Sequence, residues 1–387
     1  MIIRMAGTAP RRFIVPELVY GKGCLELAGR FARAYEARSA LVVTDPGVLA
    51  TGCVDRVLDS LEAAGSAPTV FEAVSPNPRS GQVAAGLELC LAKDCDLVVA
   101  VGGGSPMDCA KGIAVCATNG GSILDYEGID QIPRPSLPLI CAPTTAGSAA
   151  DQSQFAIISD EARKVKIAVV SKKVVPDLAL VDPSATRSMG KELTAAVGMD
   201  ALCHAAEAYV SLGASPFTDL PALKAASLVA AFLPRAFADG SDDAAREGMA
   251  RACIFAGQAF SNASLGLVHA MAHALGGLLD APHGLCNALL LEAVALANGP
   301  AAAGRYEELA RALGEEPRPA DPPGAAFARA VARLRELLGM GSGIARIGAR
   351  AEDIAALAEN ASRDPCMATN PRPMSVAEIA EVYARAL

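Results

Sequence analysis

Apolar positions along the chain follow two different rhythms. From residue 39 to about residue 183, short β-branched runs alternate with Ala-rich stretches of helical period: SALVVTD, VDRVLDSLEAAG, APTVFEAV, SGQVAAGLELCLAKD and DLVVAVGGGS, in that order. PSLPLICAPTT, VKIAVVS and PDLALVDP continue the strand series. Such alternation predicts βαβ units, and hence a parallel sheet covered by helices. Beyond Thr186 the pattern becomes long Ala/Leu periodic segments with almost no β-branched runs, which predicts an all-helical second half and a boundary between 183 and 190. The Pro-rich GEEPRPADPPG at 314–324 predicts a surface loop between helices.

Composition narrows this picture. A chain of 387 residues exceeds one ordinary compact domain, so two are expected. Apolar residues make up 52% but aromatics only 4%, with no Trp, so the core must be aliphatic. Thirty-four basic against 42 acidic side chains give a net charge of −8, with no basic, aromatic-interleaved cluster, so nucleic acid is not an expected partner. Eleven cysteines are dispersed without a C-x-x-C pair and read as reduced thiols, pointing to the cytoplasm. MIIRMAGTAPRRF lacks a continuous apolar stretch, and no apolar run approaches the roughly 18 residues of a bilayer span, so no membrane association is expected.

DLVVAVGGGSPMDCAK reads as strand, glycine turn and helix. Ser105 is the expected N-cap, with Pro106 at the first helical position and Asp108 at capping-box spacing. Gly102, Gly103 and Gly104 remove every Cβ from the turn, so backbone N–H groups at a helix N-terminus could approach a diphosphate. Asp45, at the end of the SALVVTD strand, could accept a ribose 2′-OH. In the common dinucleotide fingerprint, however, the acid follows the glycines by about 20 residues, whereas Asp45 precedes them; no Lys-Ser/Thr pair makes the turn a P-loop either.

The four histidines are the other signal. Asp200 and His204 stand four apart in GMDALCHAAEAY, and Glu207 follows on the same side. His269 and His273 repeat that spacing in HAMAHALGG, and His283 follows a Gly-Gly and a Pro that turn the chain back. Positions i and i+4 share a helix face, so one carboxylate and four imidazoles could converge on an ion such as Zn²⁺ or Fe²⁺. Five candidates exceed the three or four protein ligands of a catalytic site, which leaves one group for proton transfer.

AVGGGSPMDCAK, CAPTTAGSAAD, GMDALCHAAEAY, GLVHAMAHALGG and PHGLCNALLLEA, in this order, resemble the iron-containing (group III) alcohol dehydrogenases, over essentially the whole chain. The resemblance implies an α/β dinucleotide-binding domain over 1–185, a parallel sheet with flanking helices. An all-α, metal-binding catalytic domain follows over 186–387, in a fold shared distantly with dehydroquinate synthase. It implies that Asp200, His204, His269 and His283 hold a divalent metal, usually Fe²⁺ and sometimes Zn²⁺ or another ion, while His273 stays unliganded beside the reacting carbon. Asp45, Asn77, Gly102, Gly103, Ser105, Thr144, Thr145, Ser148 and Lys166 would line NAD. Phe260 and Cys366 would lie near a small alcohol or aldehyde substrate, and the protein would be a homodimer or a higher homo-oligomer.

Two departures stand out. Many members of that family carry a Thr-Gly-Ser-Glu run where this chain has Ser148 to Asp151, followed by QSQF, and commonly a Pro where it has Glu292. The first is expected beside the nicotinamide and substrate. It would fit an alternative reading, a regulatory or sensor protein with weak or no turnover. The main expectation is a metal-dependent alcohol dehydrogenase, in which the metal acts as Lewis acid and NAD takes the hydride.

Overall fold

The computed structural model describes residues 12–163 and 165–387, so the N-terminal stretch read above for a leader lies almost wholly outside the described residues. Among these, the strands are β1 (Glu17–Tyr20), β2 (Ser39–Val43), β3 (Ala67–Phe71), β4 (Leu97–Gly102), β5 (Gly128–Ile129), β6 (Leu139–Pro143), β7 (Phe155–Asp160), β8 (Val165–Val170) and β9 (Leu178–Val181). Six of them form a parallel sheet in the order β1-β9-β6-β4-β2-β3. β4 and β6 are buried at every position, which is why they read as unbroken apolar runs rather than as alternating ones. Successive residues still serve opposite faces: Leu41, Val43, Val98 and Ala100 join one aliphatic cluster, and Ala40, Val42, Leu97, Val99 and Val101 another.

VKIAVVS does not extend this sheet as expected. It is β8, paired antiparallel with β7, and with β5 the two form a separate three-stranded sheet. A parallel pair needs a crossover of a dozen or more residues, and the few residues joining β7 to β8 permit only a hairpin. The fully buried Lys111 pins the start of β7, its ammonium donating to the Ser153 carbonyl at 2.9 Å and the Phe155 carbonyl at 2.6 Å.

After β9 the described chain is helical, with its longest elements at Lys191–Val210, Pro216–Ala238, Asp243–Ala263 and His283–Ala312. Residues 314–324 form the expected loop. Contrary to the expectation about apolar runs, Pro216–Ala238 and His283–Ala312 are each long and apolar enough to cross a bilayer by length and composition. Leu233 and Leu290 on them join the Ala-rich core of the helical half, while Phe217 and Leu220 at the start of the first stay exposed. Two glycines bring the site together. A Cβ on Gly284 would stand 2.4 Å from the Ala196 carbonyl oxygen, and one on Gly147 would stand 2.4 Å from that of Val197. Only glycine lets the His283 helix and the loop after β6 press onto the Lys191–Val210 helix this closely.

Candidate active site

A cleft of about 780 Å³ opens between the sheet and the helical half. Its floor is the switch point of the sheet, where β2 is flanked by β3 on one side and β4 on the other. Val43 of β2 pairs with Ala100 of β4, so Asp45 and the glycine turn, remote in sequence, emerge side by side. The lateral strand order, rather than a following helix, supplies the acid. Asp45 also caps the short helix Pro46–Leu49, accepting from the Val48 N–H at 3.0 Å.

The helix after the glycine turn starts at Gly104 with Gly103 as its N-cap, so Ser105 is not the cap but lies in the first turn. Gly103 is extended and offers no side-chain cap, and Pro106 sits where an N–H would lack an intrahelical partner in any case. First-turn N–H groups are thereby left to face the cleft. A Cβ on Gly103 would approach Thr145 to 3.2 Å, and one on Gly104 would approach Ser148 to 3.1 Å. Asp108 turns inward, accepts from the Ile157 N–H at 3.2 Å and is pushed up to about 6 by burial, partly offset by Lys111.

Of the residues expected to touch cofactor, metal or substrate, all but Gly102 line this cleft; Gly102 lies behind the wall, where a Cβ would stand 2.6 Å from Pro106. Lys166 donates to Asn77 Oδ1 at 2.7 Å, and Asn77 donates in turn to Asp280 at 2.7 Å, which links the small sheet, the loop after β3 and the end of the histidine helix Leu267–Leu279. Phe260 stacks on His204 with centroids 4.3 Å apart and packs on Phe155.

The SAADQSQF stretch lies differently from expectation. Ser148, Ala150, Ser153 and Phe155 reach the cleft, but Asp151 and Gln152 are buried behind it, Gln152 donating to Asp151 at 2.7 Å and packing where a Cβ on Gly257 would be. The departure is thus divided between the cleft wall and the packing behind it. Glu292 is likewise remote, accepting from Arg335 at 2.8 Å between two helices.

Asp200, His269 and His283 present ligand atoms that all lie within 4.8 Å of one another. Asp200 Oδ1 is 3.9 Å from Nε2 of His204, 3.9 Å from Nε2 of His269 and 3.8 Å from Nε2 of His283. A tetrahedral ion with bonds near 2.1 Å separates its ligand atoms by about 3.5 Å, so Asp200 Oδ1 stands within a few tenths of an ångström of that spacing from each of the three imidazole nitrogens, and Asp200, His269 and His283 form the tightest cluster of the four. Burial is the main cause that presses His204 down to about 4 and His269 to about 3, and it holds His283 well below the usual imidazole range. Neutral imidazoles facing a carboxylate suit a divalent transition metal.

Neighbours fix the tautomers. His204 Nδ1 is 3.2 Å from the Gly147 carbonyl, which can only accept, so Nδ1 carries the proton and Nε2 offers its lone pair. His269 Nδ1 is 2.7 Å from Glu207 Oε2. Burial pushes Glu207 up to about 7, against the N–H groups of Gly266, Val268 and His269 that donate to it. Since these backbone partners are all donors, the carboxylate form orients His269.

His273 lies at the edge of this set, its ring stacked on His283 with centroids 5.4 Å apart. Its Nδ1 faces Asp364, beside Cys366. Burial drives the Cys366 thiol well above its ordinary range, which makes His273, Asp364 and Cys366 a poorer metal seat than the Asp200 set. Sequence reasoning assigned no role to Asp364 or Asn287, and noted Glu207 without placing it. Spacing could have flagged Asn287, four residues after His283, and Glu207, three after His204; nothing local distinguishes Asp364.

Two family models match the chain: "Iron-containing alcohol dehydrogenase" over residues 16–183, and "Fe-containing alcohol dehydrogenase family, C-terminal" over 194–387. Alcohol dehydrogenase 4 of Schizosaccharomyces pombe is 43% identical over 378 residues, covering 97% of this chain and 89% of that one. The NAD-dependent methanol dehydrogenase of Bacillus methanolicus is 40% identical over 377 residues, covering 97% and 99%. The crystal structure of a 1,3-propanediol oxidoreductase superimposes with a TM-score of 0.94 at 38% identity, covering 98% of this chain and 100% of the other.

Proposed function

The chain belongs to the iron-containing alcohol dehydrogenase family, and on that footing we propose that it is an NAD-dependent dehydrogenase of small primary alcohols or diols, working in either direction. The observation that carries this reading is the convergence, in one cleft, of a glycine-turn helix N-terminus and an Asp200/His204/His269/His283 donor set of which all but His283 are buried. The names of relatives that act on methanol and 1,3-propanediol support a small hydroxyl substrate.

A divalent ion held by those four residues supplies a Lewis acid that lowers the pKa of an alcohol hydroxyl, and NAD supplies the hydride acceptor. The rest falls to the chain. The free N–H groups at Gly104 and Ser105 receive the diphosphate, Asp45 receives the adenosine ribose, and Lys166, fixed by Asn77, reaches the nicotinamide side. Phe260 and Phe155 give the substrate an apolar wall that keeps water out. His273, oriented by Asp364, relays the hydroxyl proton through Nε2. Fe²⁺ is the metal we favour, and the eleven buried free thiols support a reducing, cytoplasmic setting.

Steady-state NADH formation across C2 to C6 alcohols and diols, with Fe²⁺ or Zn²⁺ restored to the protein, tests the reading. NADH formation that requires the metal is expected. Metal-replete protein that binds NAD yet turns over none of the panel in either direction would overturn it.

A further inference from the structure

Asn287 lies one helical turn after His283 and is fully buried. Its Nδ2 donates to Asp200 Oδ1 at 2.7 Å and stands 3.1 Å from Nε2 of both His269 and His283. One amide nitrogen thus addresses three of the four atoms that the metal reading assigns to an ion. The opposite amide orientation would set an oxygen against Asp200 Oδ1 and against His269 Nε2, whose ring proton Glu207 holds on Nδ1, so the nitrogen must face them. Oδ1 is then buried with no hydrogen-bond partner.

An N–H group and a cation compete for the same lone pairs. On the metal reading above, from which this step proceeds, we infer that Asn287 is a positioning residue that clamps Asp200, His269 and His283 in register when no ion is bound and gives way when one enters. The clamp keeps the buried Asp200 and His269 acceptors from facing one another unpaired, with the amide nitrogen also against His283. It also opposes loading, because its hydrogen bonds must be surrendered to the ion. An ordinary supporting residue that steadied Asp200 in the loaded protein would do the reverse and favour loading.

The test compares melting temperature and Zn²⁺ titration for the wild-type protein and Asn287→Ala, each in the Zn²⁺-loaded and the chelated form. The clamp predicts that Asn287→Ala lowers the melting temperature of the chelated protein by roughly 2–4 °C more than that of the loaded protein, and that half-saturation with Zn²⁺ falls by about tenfold. Equal losses in both forms with unchanged Zn²⁺ affinity would mark Asn287 as merely structural, and weakened Zn²⁺ binding would mark it as a support of the loaded site; either overturns the inference. Should the Ala variant not fold, Asn287→Leu keeps nearly the same volume while removing the N–H donors without adding a metal ligand, and it must show the same bias toward the loaded form. A wild-type protein whose melting temperature ignores Zn²⁺ would instead overturn the metal reading itself, and the inference with it.

Discussion

His273 Nδ1 lies 2.8 Å from Asp364 Oδ2, and the same carboxylate takes the Cys366 N–H on its other oxygen at 2.8 Å. Burial opposes ionisation of Asp364, but the adjacent His273 and these hydrogen bonds outweigh it and hold the carboxyl at about 2. The pair is therefore oriented like the base and carboxylate of a proton-transfer dyad, with Nδ1 as donor and Nε2 left for the substrate side. His273→Ala should keep its metal and its NAD affinity while turnover falls by on the order of 10² to 10⁴. Asp364→Asn should give a smaller loss of the same kind. Near-wild-type rates at every pH in the His273 variant would reduce the ring to packing under the donor set.

For the metal, His269→Ala and His283→Ala each remove one of the converging nitrogens. Metal content of the purified variants should collapse, while NAD binding by fluorescence titration persists, because the dinucleotide wall is built by the glycine turn and β2. Normal stoichiometry in both variants would remove these residues from the ligand set.

Cofactor choice should follow Asp45. A carboxylate there attracts a ribose 2′-OH and repels a 2′-phosphate, so NAD should be used in preference to NADP, and Asp45→Gly should narrow or reverse the gap. The variant loses the cap on Val48, yet Gly is tolerated at N-caps at a cost of only a few tenths of a kcal/mol, so the comparison of kcat/KM for the two cofactors stays interpretable.

Acid should destabilise the chelated protein. His204 and His269 bind protons less readily when folded, at about 4 and about 3 against the ordinary 6.5, so the unfolded chain takes up more protons as pH falls below 6.5. Their contribution is complete above that value and drains away toward pH 4 and then 3. Glu207, raised to about 7, acts in the opposite sense, but one carboxyl faces three depressed imidazoles. Melting temperatures between pH 7 and 4 should fall, and fall less steeply in His204→Gln; parallel slopes for the two proteins would show that the buried imidazoles do not govern acid lability.

The local patterns in this chain were legible because their causes are local. A βα alternation follows from apolar periodicity, a glycine turn from the need to remove Cβ atoms, and the Asp200/His204 and His269/His273 pairs from the pitch of a helix. Lateral relations are another matter. That Asp45 stands beside the glycine turn depends on β4 adding to β2 on the side away from β3, and that VKIAVVS leaves the main sheet depends on a connection too short to cross over. Glu207, Asn287 and Asp364 acquire roles only when helices remote in sequence pack with glycine at Gly284 and Gly147 between them. The sequence by itself determined the elements and the chemistry they could carry. Tertiary structure decided which buried donor faces which acceptor, because that pairing is set by close packing among segments whose separation along the chain carries no periodic signal.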